Sequence, residues 1–175
     1  MKDHGRVSGR ALEIIRFAAI GLLSACVLLA IEERLYWLRI PPLAAGAPWL
    51  GLLLSLAVGY IYGNEHGAVT GLGVGFLADC LSDGIMLRPL AYMLVGWLAG
   101  VLADVLLAHN LPSFPVYAAV GAGIEGLFRY AAAMLTAGGF ISGRFFLYGV
   151  LPHLIMTVIF SPAVYGLVKI WKKFA

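Results

Sequence analysis

Apolar residues occupy six long segments of the chain, and short polar, glycine-containing or proline-containing segments separate them. A helix that crosses a bilayer needs about 20 predominantly apolar residues, and a shorter helix suffices where the bilayer is locally thin. The pattern therefore predicts an all-α membrane protein, a bundle of six transmembrane helices in a single domain that covers residues 1–175. The predicted spans are 12–31, 48–62, 67–81, 90–107, 114–136 and 145–168.

The composition strengthens this prediction and orients the chain. Hydrophobic residues make up 62% of the chain and charged residues 12%, whereas water-soluble domains carry about 25% charged residues. Lysine and arginine collect at both ends, and such residues stay on the cytoplasmic side of a membrane. Both termini are therefore predicted to be cytoplasmic, where basic side chains also suit anionic lipid headgroups. These residues are Lys2, Arg6, Arg10, Arg16, Lys169, Lys172 and Lys173.

The segment after the first span is predicted to be an exterior loop. It contains Glu32 and Glu33, and the aromatic residues Tyr36, Trp37 and Trp49 around it suit the outer membrane–water interface. Four arginines in predicted exterior loops reduce the charge bias between the two sides. They are Arg34, Arg39, Arg88 and Arg144.

Glycine is abundant, with 22 residues, and many of the glycines are four positions apart. Small residues at this spacing let two membrane helices approach closely. We therefore expect the second, third and fourth spans to pack tightly, and the same glycines are a candidate groove for a partner helix. The glycines in question are Gly67, Gly71, Gly75, Gly96 and Gly100. A phosphate-binding role is not expected, because the strand and loop context of such motifs is missing.

Only a few ionisable residues lie within apolar segments, where a charge is costly unless it is paired. Glu125 and Arg129 are four positions apart and share one helix face. At about 1.5 Å of rise per residue, Asp79, Glu125, Arg129 and His153 reach similar heights. They are predicted to form a buried polar cluster in the outer half of the bundle. Two roles stay open, a self-neutralised pair that faces the interior and a site for a ligand or partner helix.

Signatures of catalysis and of metal binding are missing from the sequence. It contains neither H-E-x-x-H nor G-x-S-x-G, and Cys26 and Cys80 do not have the spacing of a metal site. We expect no enzymatic activity, no metal and no cofactor. Nucleic-acid binding is not expected either, because no surface combines basic and aromatic residues. Pro152 and Pro162 are expected to interrupt the sixth span.

Two stretches of sequence resemble the MreD family of rod shape-determining proteins. The first is Gly-Leu-Gly-Val-Gly-Phe-Leu-Ala-Asp-Cys-Leu-Ser-Asp-Gly at 71–84, followed by the run into the next span at 87–100. The second is Phe-Ser-Pro at 160–162, followed by an apolar run that ends in basic residues at 169–173. In place of the family's glycine, this chain has Leu87-Arg88-Pro89.

The resemblance implies a non-enzymatic scaffold in the inner membrane of a bacterium. Such a scaffold belongs to the elongation complex, which supports lateral peptidoglycan synthesis and cell shape. The implied direct partner is an MreC-like membrane protein, and indirect partners are MreB filaments, RodA and a penicillin-binding transpeptidase. The implied fold is similar to the substrate-binding subunits of energy-coupling-factor transporters. A vitamin-binding transport subunit, with its ligand held among Asp79, Glu125, Arg129 and His153, is therefore the alternative function.

Overall fold

A computed structural model describes residues 4–37, 46–81, 87–106, 112–137 and 144–171, with side chains for all of these except 4–13, 36–37 and 106. The secondary structure of this part of the chain is helical, so the prediction of an all-α fold is confirmed here. The helices are α1 (His4–Trp37), α2 (Leu50–Tyr62), α3 (Asn64–Leu81), α4 (Arg88–Leu106), α5 (Phe114–Ala137) and α6 (Leu151–Trp171). A π-helical turn, Phe146–Val150, leads directly into α6.

Three stretches of the described helices are long and apolar enough to cross a membrane. They are Ile14–Leu35 in α1, Arg88–Val105 in α4, and Phe146–Trp171, which combines the π-helical turn with α6. Large apolar side chains on their outer faces, such as Leu23 and Val105, are well exposed. A large exposed apolar surface of this kind suits contact with lipid. The protein therefore has the helices of a membrane protein.

Helix α2 is the centre of the bundle. It has only 13 residues, and those from Leu50 to Tyr60 are all buried. A helix of this length rises about 20 Å, which is less than the roughly 30 Å hydrocarbon core of a bilayer. Because its sequence is apolar on every side, it has no face suited to water. Accordingly, α2 contacts all five of the other helices.

Consecutive helices run in opposite directions, so the bundle has two distinct ends. Helices α2 and α3 are joined by Gly63 alone, which adopts φ +101° and donates its N–H to the Gly59 carbonyl at 3.0 Å. This left-handed conformation suits glycine and lets the chain reverse within one residue. We call this end of the bundle the Tyr60 end, and the opposite end, where α2 begins, the Trp49 end.

Aromatic side chains fill the Tyr60 end. The Tyr60 ring packs against Phe114, Tyr117 and Tyr165, with ring centroids 5.0–5.9 Å apart. On the α1 side, Phe17 contacts the rings of Tyr62, His66 and Trp171. Edge-to-face contacts of this kind add to the stabilisation from apolar burial. They join α1 to α2, α3 and α6 at this end.

Glycines bring α2, α3 and α4 into backbone contact. Gly59, Gly67 and Gly96 meet at one point, and a methyl group added at any of them would overlap the backbone of another. Further along the α3–α4 interface, Gly71 packs against the backbone of Tyr92. Gly75 packs in the same way against Pro89, and Gly100 against Asn64. The tight packing of these three helices follows from the spacing of the small residues.

This packing leaves the five glycines no free face. Gly67, Gly71, Gly75, Gly96 and Gly100 are all buried, and backbone of the same chain occupies the space that a partner helix would need. The glycines therefore act as internal packing residues, and the partner groove that their spacing also suggested does not lie along them. An external partner has to dock on another face of the bundle.

Helix α6 is irregular where prolines occur in its sequence. The π-helical turn ends immediately before Leu151-Pro152, and the Leu151 N–H donates to the carbonyl of Phe146. Pro162 lies inside α6 and has no N–H to donate to the Val158 carbonyl. The Ser161 hydroxyl donates to that carbonyl at 2.7 Å and replaces the missing hydrogen bond. The helix therefore continues through Pro162.

Several sequence-based predictions concern residues or side chains that lie outside the described part of the chain. They include most of the basic side chains used to orient the chain, the residues 82–86 of the MreD-like stretch, and the exterior-loop residues 38–45. The basic side chains concerned are those of Lys2, Arg6, Arg10, Lys172 and Lys173. The orientation of the chain therefore stays a prediction.

Candidate functional site

A cluster of ionisable side chains lies at the Trp49 end of the bundle, where α1, α3 and α5 end and α2, α4 and α6 begin. Five helices contribute to it, so residues far apart in sequence meet there. We call this set the charge cluster. It consists of Glu32 from α1, Asp79 from α3, Arg88 and Tyr92 from α4, Glu125 and Arg129 from α5, and His153 from α6.

Glu125 and Arg129 form the ion pair that their i,i+4 spacing indicates. The Arg129 Nε donates to Glu125 Oε1 at 2.9 Å, and Glu125 is only 1% exposed. The Arg129 guanidinium also lies over the indole of Trp49, 4.7 Å from the ring centroid. A cation over an aromatic face is stabilised by the ring, and more so where water is excluded. Arg129 is therefore held by a carboxylate and by an indole ring.

Trp49 joins Arg129 to His153. The Trp49 and His153 rings are stacked, with centroids 5.5 Å apart and planes inclined by 8°. Trp49, which was expected to suit the outer interface, is 2% exposed, so its ring packs within the bundle and does not face lipid. The reason is that the residues before α2 fold inward against α6 and carry this ring with them.

Hydrogen bonds hold the segment before α2 against α6. His153 Nδ1 lies 2.6 Å from the Ala47 carbonyl, and because a carbonyl only accepts, Nδ1 carries the hydrogen. The backbone N–H of Trp49 donates to the Thr157 hydroxyl at 3.0 Å, and this hydroxyl donates to the His153 carbonyl at 2.6 Å. These bonds position both rings of the stack.

Glu32 caps a helix to which it does not belong. Its Oε2 accepts the N–H of Leu50 at 2.9 Å and the N–H of Gly51 at 3.3 Å. Helix α2 needs such an acceptor, because Trp49 at its start provides no side-chain cap and the first N–H groups of a helix have no partner within it. The positive end of the helix dipole also favours an acceptor oxygen there.

Sequence reasoning missed this role and placed Glu32 in an exterior loop. In the structure, α1 continues through Glu32 to Trp37. One signal was available, since Ala47, Pro48 and Trp49 offer no capping oxygen to the apolar helix that follows. A carboxylate from elsewhere in the chain was therefore needed.

Asp79 has the same capping role for α4. Its Oδ2 accepts the backbone N–H of Arg88 at 3.2 Å, and its Oδ1 lies 3.4 Å from the Arg88 Nε. The Arg88 Nη1 also donates to the Ala78 carbonyl at 3.1 Å. Sequence reasoning grouped Asp79 with Arg129 and assigned Arg88 to a loop. The structure instead pairs Asp79 with Arg88, because Arg88 is the first residue of α4.

The structure brings together only some of the four residues of the predicted polar cluster, Asp79, Glu125, Arg129 and His153. Glu125 and Arg129 contact each other directly, and His153 reaches Arg129 through the Trp49 ring. Asp79 is held by Arg88 and acts on Glu125 through its charge. Arg88 and Arg129 both act electrostatically on Glu125 and on Glu32.

Four buried polar atoms in or beside the charge cluster have no hydrogen-bond partner among the described residues. They are the Tyr92 hydroxyl, the second carboxylate oxygen of Glu125, the indole Nε1 of Trp49, and Asp79 Oδ1, which faces the Arg88 Nε at 3.4 Å as an ion pair. Tyr92 is fully buried and interacts electrostatically with Glu125 and with Glu32. Buried polar groups without partners cost about 1–3 kcal/mol each. The charge cluster therefore contains buried polar atoms whose hydrogen-bonding capacity is not fully used by the described residues.

Two cavities lie outside the charge cluster. A groove of about 740 Å³ separates α1 from α3 and is lined by residues between Ile14 and Ala25 and between Tyr62 and Leu77. A smaller cavity of about 140 Å³ lies between α2, α4 and α5. Neither lining includes a member of the charge cluster. Within the described residues, no three His, Cys, Asp or Glu side chains are placed to hold a metal ion.

The fold and the site together define a class of protein, an α-helical bundle of the membrane type whose buried charges are mostly paired within the bundle. In comparisons with known proteins, no protein-family model, no curated protein and no solved structure matches the chain.

Proposed function

We propose that this protein is a non-enzymatic scaffold of the MreD kind, with six spans in the inner membrane of a bacterium and both termini in the cytoplasm. Its role is to bind the membrane helix of an MreC-like partner within the elongation complex. MreB filaments, RodA and a penicillin-binding transpeptidase are then indirect partners. The observation that carries the proposal is the apolar groove between α1 and α3, which we call the α1–α3 groove.

The α1–α3 groove has the dimensions of a helix-docking site. It extends over residues 14–25 of α1, or about 16 Å at 1.5 Å per residue. Gly21 and Gly73 face into it, and nothing lies within 4 Å of the position that a methyl group would take on either residue. Val69 on the α3 wall is 73% exposed. Small residues beside open space allow a second helix to approach closely, which is how membrane helices associate.

The end of the groove near Glu65 has a charge that suits a partner helix. Glu65 and His66 line the groove in the first turn of α3, and Glu65 is exposed. In the proposed orientation this end faces the cytoplasm, where lysine and arginine flank membrane helices. A basic residue at the cytoplasmic end of the partner helix would therefore lie near the Glu65 carboxylate. This charge complementarity favours a membrane helix over a neutral lipid chain as the occupant.

The packing of the charge cluster favours a scaffold over the transport alternative. A vitamin-sized ligand would need space among Asp79, Glu125, Arg129 and His153. The Trp49 indole fills the region between Arg129 and His153. Small-molecule sites usually offer several hundred Å³ of concave space. This packing argues against a vitamin at the position that the transport alternative requires, and we therefore propose binding of a partner helix.

Affinity purification from native membranes tests the proposal. The tagged protein is extracted gently from a rod-shaped bacterium, and the proteins that accompany it are identified by mass spectrometry. An MreC-like protein in stoichiometric amount is the expected result. A transporter ATPase module in its place, or a bound small molecule in native mass spectrometry, would support the transport alternative and overturn the scaffold.

A further inference from the structure

The charge cluster contains one more carboxyl group than guanidinium groups. Its acidic members are Glu32, Asp79 and Glu125, and its permanently charged basic members are Arg88 and Arg129. Asp79 is paired with Arg88 and Glu125 with Arg129, at 3.4 Å and 2.9 Å respectively. Glu32 differs from the other two carboxyl groups. Among the described residues it accepts hydrogen bonds only from the uncharged backbone N–H groups of Leu50 and Gly51. Glu32 is half-buried, and a charge without a direct counter-ion is costly where a membrane bundle excludes water.

We propose that the charge cluster is a binding site for one exchangeable proton, which Glu32 carries at neutral pH. The backbone N–H groups of Leu50 and Gly51 occupy Oε2 of Glu32, so the proton resides on Oε1. The Tyr92 hydroxyl, which interacts electrostatically with Glu32, is fully buried and has no hydrogen-bond partner among the described residues. It provides an acceptor for that proton, either directly or through one buried water.

The other charged groups around Glu32 are consistent with this site. Arg88 and Arg129 act on Glu32 from α4 and α5, but each is already in contact with its own carboxylate. The remaining titratable member, His153, stacks on an indole that already carries the Arg129 guanidinium. A second positive charge on this stack would be repelled by the first. Glu32 is therefore the favoured position for the proton.

The proposed proton has a structural consequence. A neutral carboxylic acid is a weaker hydrogen-bond acceptor than a carboxylate. Protonation of Glu32 therefore weakens its hydrogen bonds to Leu50 and Gly51, which form one of the contacts between the end of α1 and the start of α2. Loss of the proton strengthens this contact and brings back an unpaired charge. The site thereby couples protonation to the position of α1.

Infrared spectroscopy of the full-length protein in lipid nanodiscs tests the proposal, because the C=O stretch of a protonated carboxyl is distinct from that of a carboxylate. The wild type is expected to show this band at neutral pH and to lose it at alkaline pH. The band is expected to be missing in Glu32→Gln and retained in Glu33→Gln, a control at the adjacent exposed glutamate. No band in the wild type at neutral pH, or a band that persists in Glu32→Gln, would overturn the proposal.

A second measurement covers the case in which Glu32→Gln does not fold. The wild type is labelled with carbon-13 at the glutamate side-chain carboxyl, and the acid band is expected to shift to lower frequency. An unshifted band would assign the proton to an aspartate and reject the proposal. In Tyr92→Phe the band is expected to move to higher frequency, because the acid loses its hydrogen-bond acceptor. An unchanged frequency in this variant would exclude Tyr92 as the acceptor.

Discussion

The side-chain carboxyl of Glu32 accepts the backbone N–H of Leu50 at 2.9 Å, so a side chain near the end of α1 caps the first residue of α2. The two residues are separated by residues 33–49, part of which was predicted to be a polar loop. Because α1 is also one wall of the α1–α3 groove, this contact helps to set the position of that wall. A capping interaction and a candidate docking surface thus depend on the same helix.

Removal of this cap is expected to destabilise the protein modestly. Glu32→Ala should lower the free energy of unfolding by about 0.5–2 kcal/mol, the usual cost of a lost helix cap. Hydrogen exchange should accelerate at the amides of Leu50 and Gly51. The matched control is Glu33→Ala, because Glu33 is exposed, and its stability should stay close to wild type. Equal losses in the two variants would show that the cap contributes nothing.

The buried ion pair predicts a specific pattern in a double-mutant cycle. Arg129→Ala leaves Glu125 buried without its counter-ion and should cost about 3–5 kcal/mol. Adding Glu125→Gln to that variant removes the unpaired carboxylate and should recover part of the loss. The measurement is the free energy of unfolding in mixed micelles, determined for both single variants and the double variant. Losses that simply add would mean that the two side chains are not coupled.

The glycine contact among α2, α3 and α4 is expected to be intolerant of any side chain. A methyl group at Gly67 would overlap the Gly96 carbonyl oxygen and the Cα of Gly59, so Gly67→Ala should force the helices apart and reduce the yield of folded protein. The control is Gly123→Ala, because nothing lies within 4 Å of that position. In the control, the higher helix propensity of alanine should keep stability at or above wild type. The two variants are compared by the temperature at which heating removes the folded peak from a size-exclusion chromatogram.

A bulky residue in the α1–α3 groove is expected to block partner binding without unfolding the protein. Gly73→Leu introduces a side chain into open space and should reduce recovery of the MreC-like partner at least about tenfold, equivalent to about 1.4 kcal/mol. Gly123→Leu places the same side chain on α5, also in open space, and should leave recovery unchanged. Equal recovery from the two variants would exclude the groove as the docking site.

The predicted orientation can be tested independently of the partner. A reporter that is active only in the cytoplasm should be active when fused to either terminus, because the basic residues at both ends favour that side. A reporter that is active only outside the membrane should be silent at both positions. Activity of the external reporter at one terminus would require an odd number of spans and would contradict the six-span bundle.

Local patterns in the sequence predicted the features that depend on local geometry. The runs of apolar residues predicted the positions of the helices, and the observed bounds lie close to the predicted ones except for α1, which is longer at both ends. The i,i+4 spacing of Glu125 and Arg129 indicated their contact, because both residues lie on one helix. The spacing of the glycines indicated close helix packing for the same reason.

Contacts between helices were less predictable. Asp79 could have met Arg129 or Arg88, and the choice depends on how α3 and α4 are joined and packed. Trp49 has the sequence context of an interfacial residue, yet it is buried because a hydrogen bond from His153 to the Ala47 carbonyl and one from the Trp49 backbone N–H to Thr157 hold its segment against α6. Nothing in the local sequence reports those partners.

The sequence by itself determined that this chain is helical and apolar, and that its few internal charges need partners. The helical repeat and the cost of a charge in lipid act within each segment, whatever its neighbours. The tertiary structure alone decided which charges are paired, that no guanidinium among the described residues is in direct contact with Glu32, and that the open groove lies between α1 and α3. Those outcomes depend on which helix ends meet, and packing of the whole bundle determines this.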